Sequence, residues 1–164
     1  DWTYSLVLPP AHPVCEGSAS EVYLHVHRSI SVSLAKCGVD TLLLPCREAS
    51  CSITPRKVIP GQCFLEPVAR DVILSANHSK IAGAAIKRTR TGLLLQGTID
   101  MRPLSRVNWI FFETLFLAEL SGYLGGEPEL SELPQSFEIS RKPYVEQFAS
   151  KGWLRERKAT LSRK

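Results

Sequence analysis

Between Asp71 and Ile99 the chain has room for three strands and almost none for what joins them. "DVILS" reads as a strand, "ANHS" as a turn, "KIAGAAIKRTR" as a second strand, Thr91-Gly92 as a tight turn and "LLLQGTI" as a third. Three strands with two short connections suggest an antiparallel meander.

The flanking segments supply the layers. "DWTYSLVL" alternates Trp2, Tyr4, Leu6 and Leu8 with Thr3, Ser5 and Val7, and Pro9-Pro10 ends it, which predicts a strand. After the loop "PPAHPVCEGSAS", Ser18 or Ser20 can cap a helix with Glu21 in its first turn. Val22, Val26, Ile30 and Leu34 recur at spacing four, and Cys37-Gly38 marks the stop. "VDTLLLP" reads as a short buried strand, and "CREASCSITPRKVIPG" as a polar loop. "SRVNWIFFETLFLAELSGYLGG" is apolar around most of its circumference and ends at Gly125-Gly126, as a buried helix would, with a strand as the alternative for its first half. "EPELSELPQSFEISRKP" reads as a linker, and Pro143 through Arg157 as a last helix with proline in its first turn. The expected fold class is α+β, a mixed and largely antiparallel sheet packed with helices, in a single domain over residues 1–164 with a basic C-terminal helix at about 143–164.

With 164 residues, one core can form and a second independent domain is not expected. No apolar run approaches the roughly 18 to 20 residues of a membrane span, so no membrane association is expected. Asp1 and "WTYSLVL" have neither a methionine start nor the parts of a signal peptide, and read as the start of a fragment or processed product. The net charge of +4 comes from the tail: residues 151–164 hold six Lys/Arg and only Glu156 as acid. A basic helix end in solvent accounts for that, and nucleic-acid binding is not expected. The five cysteines (15, 37, 46, 51 and 63) are odd in number and form no C-x-x-C pair, which suits reduced thiols in a cytoplasmic protein better than a disulfide framework or zinc site.

The chemistry gathers in the meander and just ahead of it. Around Lys80 the small residues Ala82, Gly83, Ala84 and Ala85 remove bulk, so a ligand or another backbone can approach the strand and use it as a floor. Lysine would then supply a point charge for a carboxylate, an acyl phosphate or a thiolate. The other reading is a strand packed under a helix with Lys80 in solvent. Cys63 follows Pro60-Gly61-Gln62 in a loop, and an ammonium nearby would favour its thiolate and make it a nucleophile. His25 and His27 are two apart on a helix and do not share a metal-binding face, so one is expected at the surface and one in packing. His12, in the proline loop, and His78, in the turn, have no evident acidic or thiol partner in the sequence, with a Cys63/His78 dyad as the alternative reading. Lys87 alternates with Arg88 and Arg90 along a strand, as a solvated edge or a surface for an acidic carrier.

The order Cys63-Phe64-x-x-Pro67, Asp71-Val72, Lys80-Ile81-Ala82-Gly83-x-Ala85-x-x-Arg88, Gly92-Leu93-Leu94 and Gln96-Gly97-Thr98-Ile99 resembles the biotin/lipoate protein ligase A/B family, and within it the cysteine-dependent octanoyl and lipoyl transferases. The resemblance implies acyl transfer through a thioester on Cys63, with Lys80 as its electrostatic partner. Backbone N–H groups near Cys63 or near Gly97 would be the oxyanion donors. It implies an acyl head lying over Ile81, Ala82, Gly83, Ala84 and Ala85, with Gly97 and Thr98 alongside. The donor implied is an acyl carrier, and the acceptor a lysine of a lipoyl domain of a 2-oxoacid dehydrogenase or of a glycine-cleavage carrier protein. No metal or cofactor is implied; ATP enters only if the chain is instead a lipoate-protein ligase. A third possibility is an idle relative that binds an acyl carrier or lipoyl domain without reacting. The Arg-Arg…Gly-Gly-Gly stretch that family members carry before a segment like "DWTYSL" is not among these residues, so the resemblance also implies that an N-terminal part of the pocket is missing.

Overall fold

The computed structural model describes residues 1–45 and 67–156, and the Glu156 side chain is not described. Cys63, with Cys46 and Cys51, therefore lies outside the described residues, as does the whole of the segment 46–61 read as a polar loop. The backbone forms two compact units, Asp1–Pro128 and Glu129–Lys164.

Among the described residues the first unit is a five-stranded, wholly antiparallel sheet with two α-helices. Strands β1 (Trp2–Leu8), β2 (Thr41–Leu43), β3 (Val72–Leu74), β4 (Lys80–Thr89) and β5 (Gly92–Ile99) stand in the order β1-β5-β4-β3-β2. The expected meander is β3-β4-β5. Its hairpin turns one residue earlier than read: Gly92 already pairs with Thr89, leaving Arg90-Thr91 as the connection. Gly92 has φ +131, and a side chain there would run into the Leu8 carbonyl, so glycine is required for β1 to come alongside. Strand β2 is an edge strand, and Leu42 is 48% exposed rather than buried.

Helix α1 (Ala19–Lys36) starts in a capping box. Ser18 Oγ accepts the Glu21 N–H at 3.1 Å, and the Glu21 carboxylate accepts the Ser18 N–H at 2.6 Å. That hydrogen bonding holds the Glu21 carboxyl below the usual range. Its spacing-four stripe, Val22, Val26, Ile30 and Leu34, is fully buried against the sheet, each side chain contributing about 2 kcal/mol of apolar transfer. Helix α2 (Trp109–Leu124) is helical from its first turn, capped by Asn108 and stopped by Gly125 at φ 75. It buries one stripe, Phe112, Phe116 and Leu120, whose first two rings meet Trp2 of β1 edge-on. Its other side mixes exposed apolar residues with Glu113 and Thr114: Ile110 is 82% exposed and Phe111 49%. The reading as a helix buried all round is corrected, because the sheet and α1 present α2 with one contact face. Together α1, α2 and the inward residues Leu8, Ile81, Leu93, Leu95 and Ile99 make a single core.

In the second unit, helix α3 (Gln135–Ala149) begins eight residues before the expected start and carries Pro143 in its interior. The residues read as linker supply its first two turns. Ser150 separates it from α4 (Lys151–Glu156), and Phe148 and Trp153 meet edge to face at 4.8 Å. Among the described residues no helix is long and apolar enough to cross a membrane.

Candidate functional site

Where β3 meets β4 the register slips. Val72 pairs with Ala82 and Ile73 with Lys80, so Ile81 is an extra residue on β4. Ile81 and Ala82 are consequently both buried. In an unbroken strand Lys80 and Gly83, three apart, would point to opposite faces. With the bulge between them they come together: a Cβ on Gly83 would lie 2.6 Å from Lys80 Cε and 2.8 Å from its Nζ. The bare backbone at Gly83 is thus filled by the chain's own lysine.

The ammonium is held there by Asp71, the residue just before β3. Lys80 Nζ is 2.8 Å from Asp71 Oδ2, with 8% of the lysine side chain and none of the aspartate exposed. Asp71 Oδ2 also accepts the Val68 N–H at 2.8 Å, and Oδ1 accepts the Tyr23 hydroxyl at 2.5 Å. Tyr23, on α1, in turn accepts the N–H of Ala84 at 3.2 Å. Burial, together with the hydrogen bond to Asp71, raises the Tyr23 phenol well above its ordinary range, so it stays a donor. The corner leading into Asp71 is pinned separately. Arg70 has φ 72, its guanidinium donates to the carbonyl and hydroxyl of Ser20, and its carbonyl lies 2.7 Å from His27 Nδ1.

Beside this cluster lies a cavity of about 530 Å³, within the range of small-molecule sites. Strand β1 contributes Thr3, Tyr4 and Ser5; β4 contributes Lys80, Gly83, Ala84 and Ala85; β5 contributes Gln96, Gly97 and Thr98. Thr3, Ser5 and Gln96 stand on the exposed phase of their strands, Trp2, Tyr4, Leu93 and Leu95 on the inward one. Gly97 matters for the same reason as Gly83. A side chain there would collide with the Tyr4 ring. The Tyr4 hydroxyl is buried with no hydrogen-bond partner among the described residues. Burial, with Tyr23 and Asp71 nearby, pushes its ionisation far above the ordinary phenol range.

Of the residues singled out in the sequence, Lys80, Gly83, Ala84, Ala85, Gly97 and Thr98 come together around this cavity. Ile81 and Ala82 do not; they are in the core. Cys63 is outside the described residues, so its distance from Lys80 is not part of this geometry. Tyr23, Thr3 and Ser5 carry no functional mark in the sequence, and Gln96 stands in a motif without a role of its own. Asp71 was quoted without a role, although a lone acid opening an apolar strand is a usable sign of a buried partner. His27 is fully buried and His25 exposed, stacked on Tyr123 at 4.1 Å, the division expected. His78, at φ 57, serves the turn between β3 and β4. Arg88 donates to the carbonyls of Cys15 and Gly17, which ties down the loop after β1. Among the described residues no cluster of three His, Cys, Asp or Glu is placed to hold a metal ion. Chemically, the site offers an oriented cation, several hydroxyls and a strip of small residues.

No family model matches the sequence, and neither does any curated protein. Solved structures do match. A T. acidophilum protein assigned as a lipoate protein ligase shares 16% identity over 92% of this chain and 62% of its own, at a TM-score of 0.59. A lipoate-protein ligase A bound with ATP shares 15% identity over 92% and 63%, also at 0.59. The bi-partite lipoate protein ligase of Thermoplasma acidophilum, studied with its E2 lipoyl domain, matches at 12% identity, 92% and 61% coverage, and a TM-score of 0.53. The chain spans a little over three fifths of the length of these structures.

Proposed function

We propose that this chain, which has the fold of lipoate-protein ligases, binds an octanoyl- or lipoyl-class acyl group and passes it to a lysine of a carrier protein. The acyl head lies over Gly83, Ala84 and Ala85 with its carbonyl at Lys80. The acceptors are lipoyl domains of 2-oxoacid dehydrogenases or the glycine-cleavage carrier. One observation carries the reading: a lysine ammonium fixed by a buried carboxylate at 2.8 Å opens onto a cavity floored by small residues.

In the favoured route the Cys63 thiolate attacks the carbonyl of an acyl-carrier thioester. The tetrahedral oxyanion is stabilised by Lys80, the carrier leaves as its thiolate and takes up the proton that Cys63 gave up on ionising, and the acyl group stays on Cys63 as a thioester. The ε-amine of the acceptor lysine then attacks that thioester, an amide forms, and the Cys63 thiol is regenerated. The thioester keeps the acyl group activated, so this route consumes no ATP. What supports Cys63 is the order of motifs, in which it follows Pro60-Gly61-Gln62 eight positions before Asp71. A second reading, ATP-dependent ligation, is favoured by the similar structure bound with ATP. There the fatty carboxylate attacks the α-phosphorus, pyrophosphate leaves, and the acyl adenylate is the species that the amine attacks.

Incubation with an octanoylated carrier is expected to leave an octanoyl adduct on Cys63, seen in the intact mass and absent from Cys63→Ser. An adduct that persists in Cys63→Ser ends the cysteine route, and lipoylation from free lipoate that requires ATP and ignores Cys63→Ser assigns the ligase route. Lys80→Met is expected to slow acyl transfer about 10²- to 10³-fold, the usual loss on removing one oxyanion donor.

A further inference from the structure

Strand β3 stops while β4 runs on. Val72 pairs with Ala82, so in a continued antiparallel ladder the residue opposite Ala84 would be Arg70. Arg70 instead turns at φ 72, with its carbonyl against His27 Nδ1. The Ala84 N–H therefore meets no strand at the point where β4 floors the cavity, and the Tyr23 hydroxyl takes that rung, accepting it at 3.2 Å. A hydroxyl has one hydrogen. Here it goes to Asp71 Oδ1 at 2.5 Å, and burial of the phenol keeps that hydrogen in place. The Tyr23 ring packs against the fully buried His27, centroids 4.0 Å apart, which fixes where the hydroxyl stands. The second carboxylate oxygen, Asp71 Oδ2, accepts the Val68 N–H and meets Lys80 Nζ, each at 2.8 Å. Tyr23 thus sets the rotation of the carboxylate that meets the ammonium, from a helix that contributes none of the cavity lining among the described residues.

We propose that Tyr23 is a positioning residue for acyl transfer: by fixing Asp71 it holds the Lys80 ammonium where the carbonyl oxygen of the acyl group gains charge. The inference rests on the acyl-transfer reading above, and it requires the ion pair with Asp71 to be one of the contacts that place Lys80, not the sole one. A hydroxyl that merely stapled α1 to β4 would make the same two bonds. The roles part in the kinetics, because a staple acts on the fold and a positioning residue acts through Lys80.

The test is a double-mutant cycle on the full chain, with an octanoylated carrier as donor and a lipoyl domain as acceptor, read by the intact mass of the acceptor. Tyr23→Phe keeps the ring and removes the hydroxyl; it is expected to lower kcat about tenfold with KM for the octanoylated carrier little changed. In a Lys80→Met background the same substitution is expected to change kcat less than about twofold, since the group it positions is gone. An unchanged kcat in folded Tyr23→Phe, or the same tenfold loss with Lys80→Met, overturns the proposal and leaves acyl transfer standing. If Tyr23→Phe does not fold, Asp71→Asn goes through the same cycle: a loss that disappears with Lys80→Met supports the link through which Tyr23 acts, and a loss that adds to it overturns the proposal. Folded wild type that transfers no acyl group, from the carrier or from free lipoate with ATP, overturns the functional reading and this inference with it.

Discussion

A methyl group at position 83 would land where the end of the Lys80 side chain now lies. Gly83→Ala is therefore expected to push the ammonium off Asp71 and abolish acyl binding, at a stability cost of about 1–3 kcal/mol for the overpacking; a thermal melt and a ligand titration on the same sample check both. His27 gives a second prediction. Burial lowers its imidazole from the ordinary value of about 6.5. Unfolded chains then bind a proton that the folded protein refuses, so stability is flat above about pH 6.5 and declines as pH falls below it. Melting temperatures measured from about pH 8 down to 5 are expected to show that decline, and His27→Gln to flatten it. The lysine and the small residues beside it were legible in the sequence because they are consecutive on one strand. The partner was not. Tyr23 and Asp71 are 48 positions apart and belong to different elements, and no local pattern relates them. The β4 bulge was equally hidden, since "KIAGAAIK" gives no hint which residue is extra.

At the level of elements, the helix that declared itself most clearly is α1, with both cap partners and a spacing-four stripe in the sequence. Helix α2 declared its existence but not its orientation. Apolar residues surround it, and only the aromatic contacts with β1 select Phe112, Phe116 and Leu120 as the inner side. Helix α3 misled for a physical reason. Proline is well suited to a first turn, so Pro143 looked like a start, whereas eight helical residues precede it. In the interior it has no N–H for the Ile139 carbonyl and crowds it. Pro143→Ala is expected to strengthen α3 by up to about 3 kcal/mol, seen as increased helical circular dichroism in the full chain.

Across the whole molecule, the chain passes between its two compact units through exposed residues without regular structure, from Glu127 to Leu133. Backbone of that kind is where proteases cut first. A glutamate-specific protease is expected to cleave at Glu129 or Glu132 before Glu113 or Glu119 inside α2, with the order of fragments read by mass spectrometry. The strand order has a further consequence, for the time course of folding. Among the described residues β1 pairs with β5 alone, and Trp2 has to wait for Ile99. The hairpin of β4 and β5 can close at once, from neighbouring residues. Trp2, Tyr4, Leu6 and Leu8 therefore stay unmatched until the residues up to Ile99 are in place, and the cavity wall that β1 supplies is among the last parts of this sheet to form.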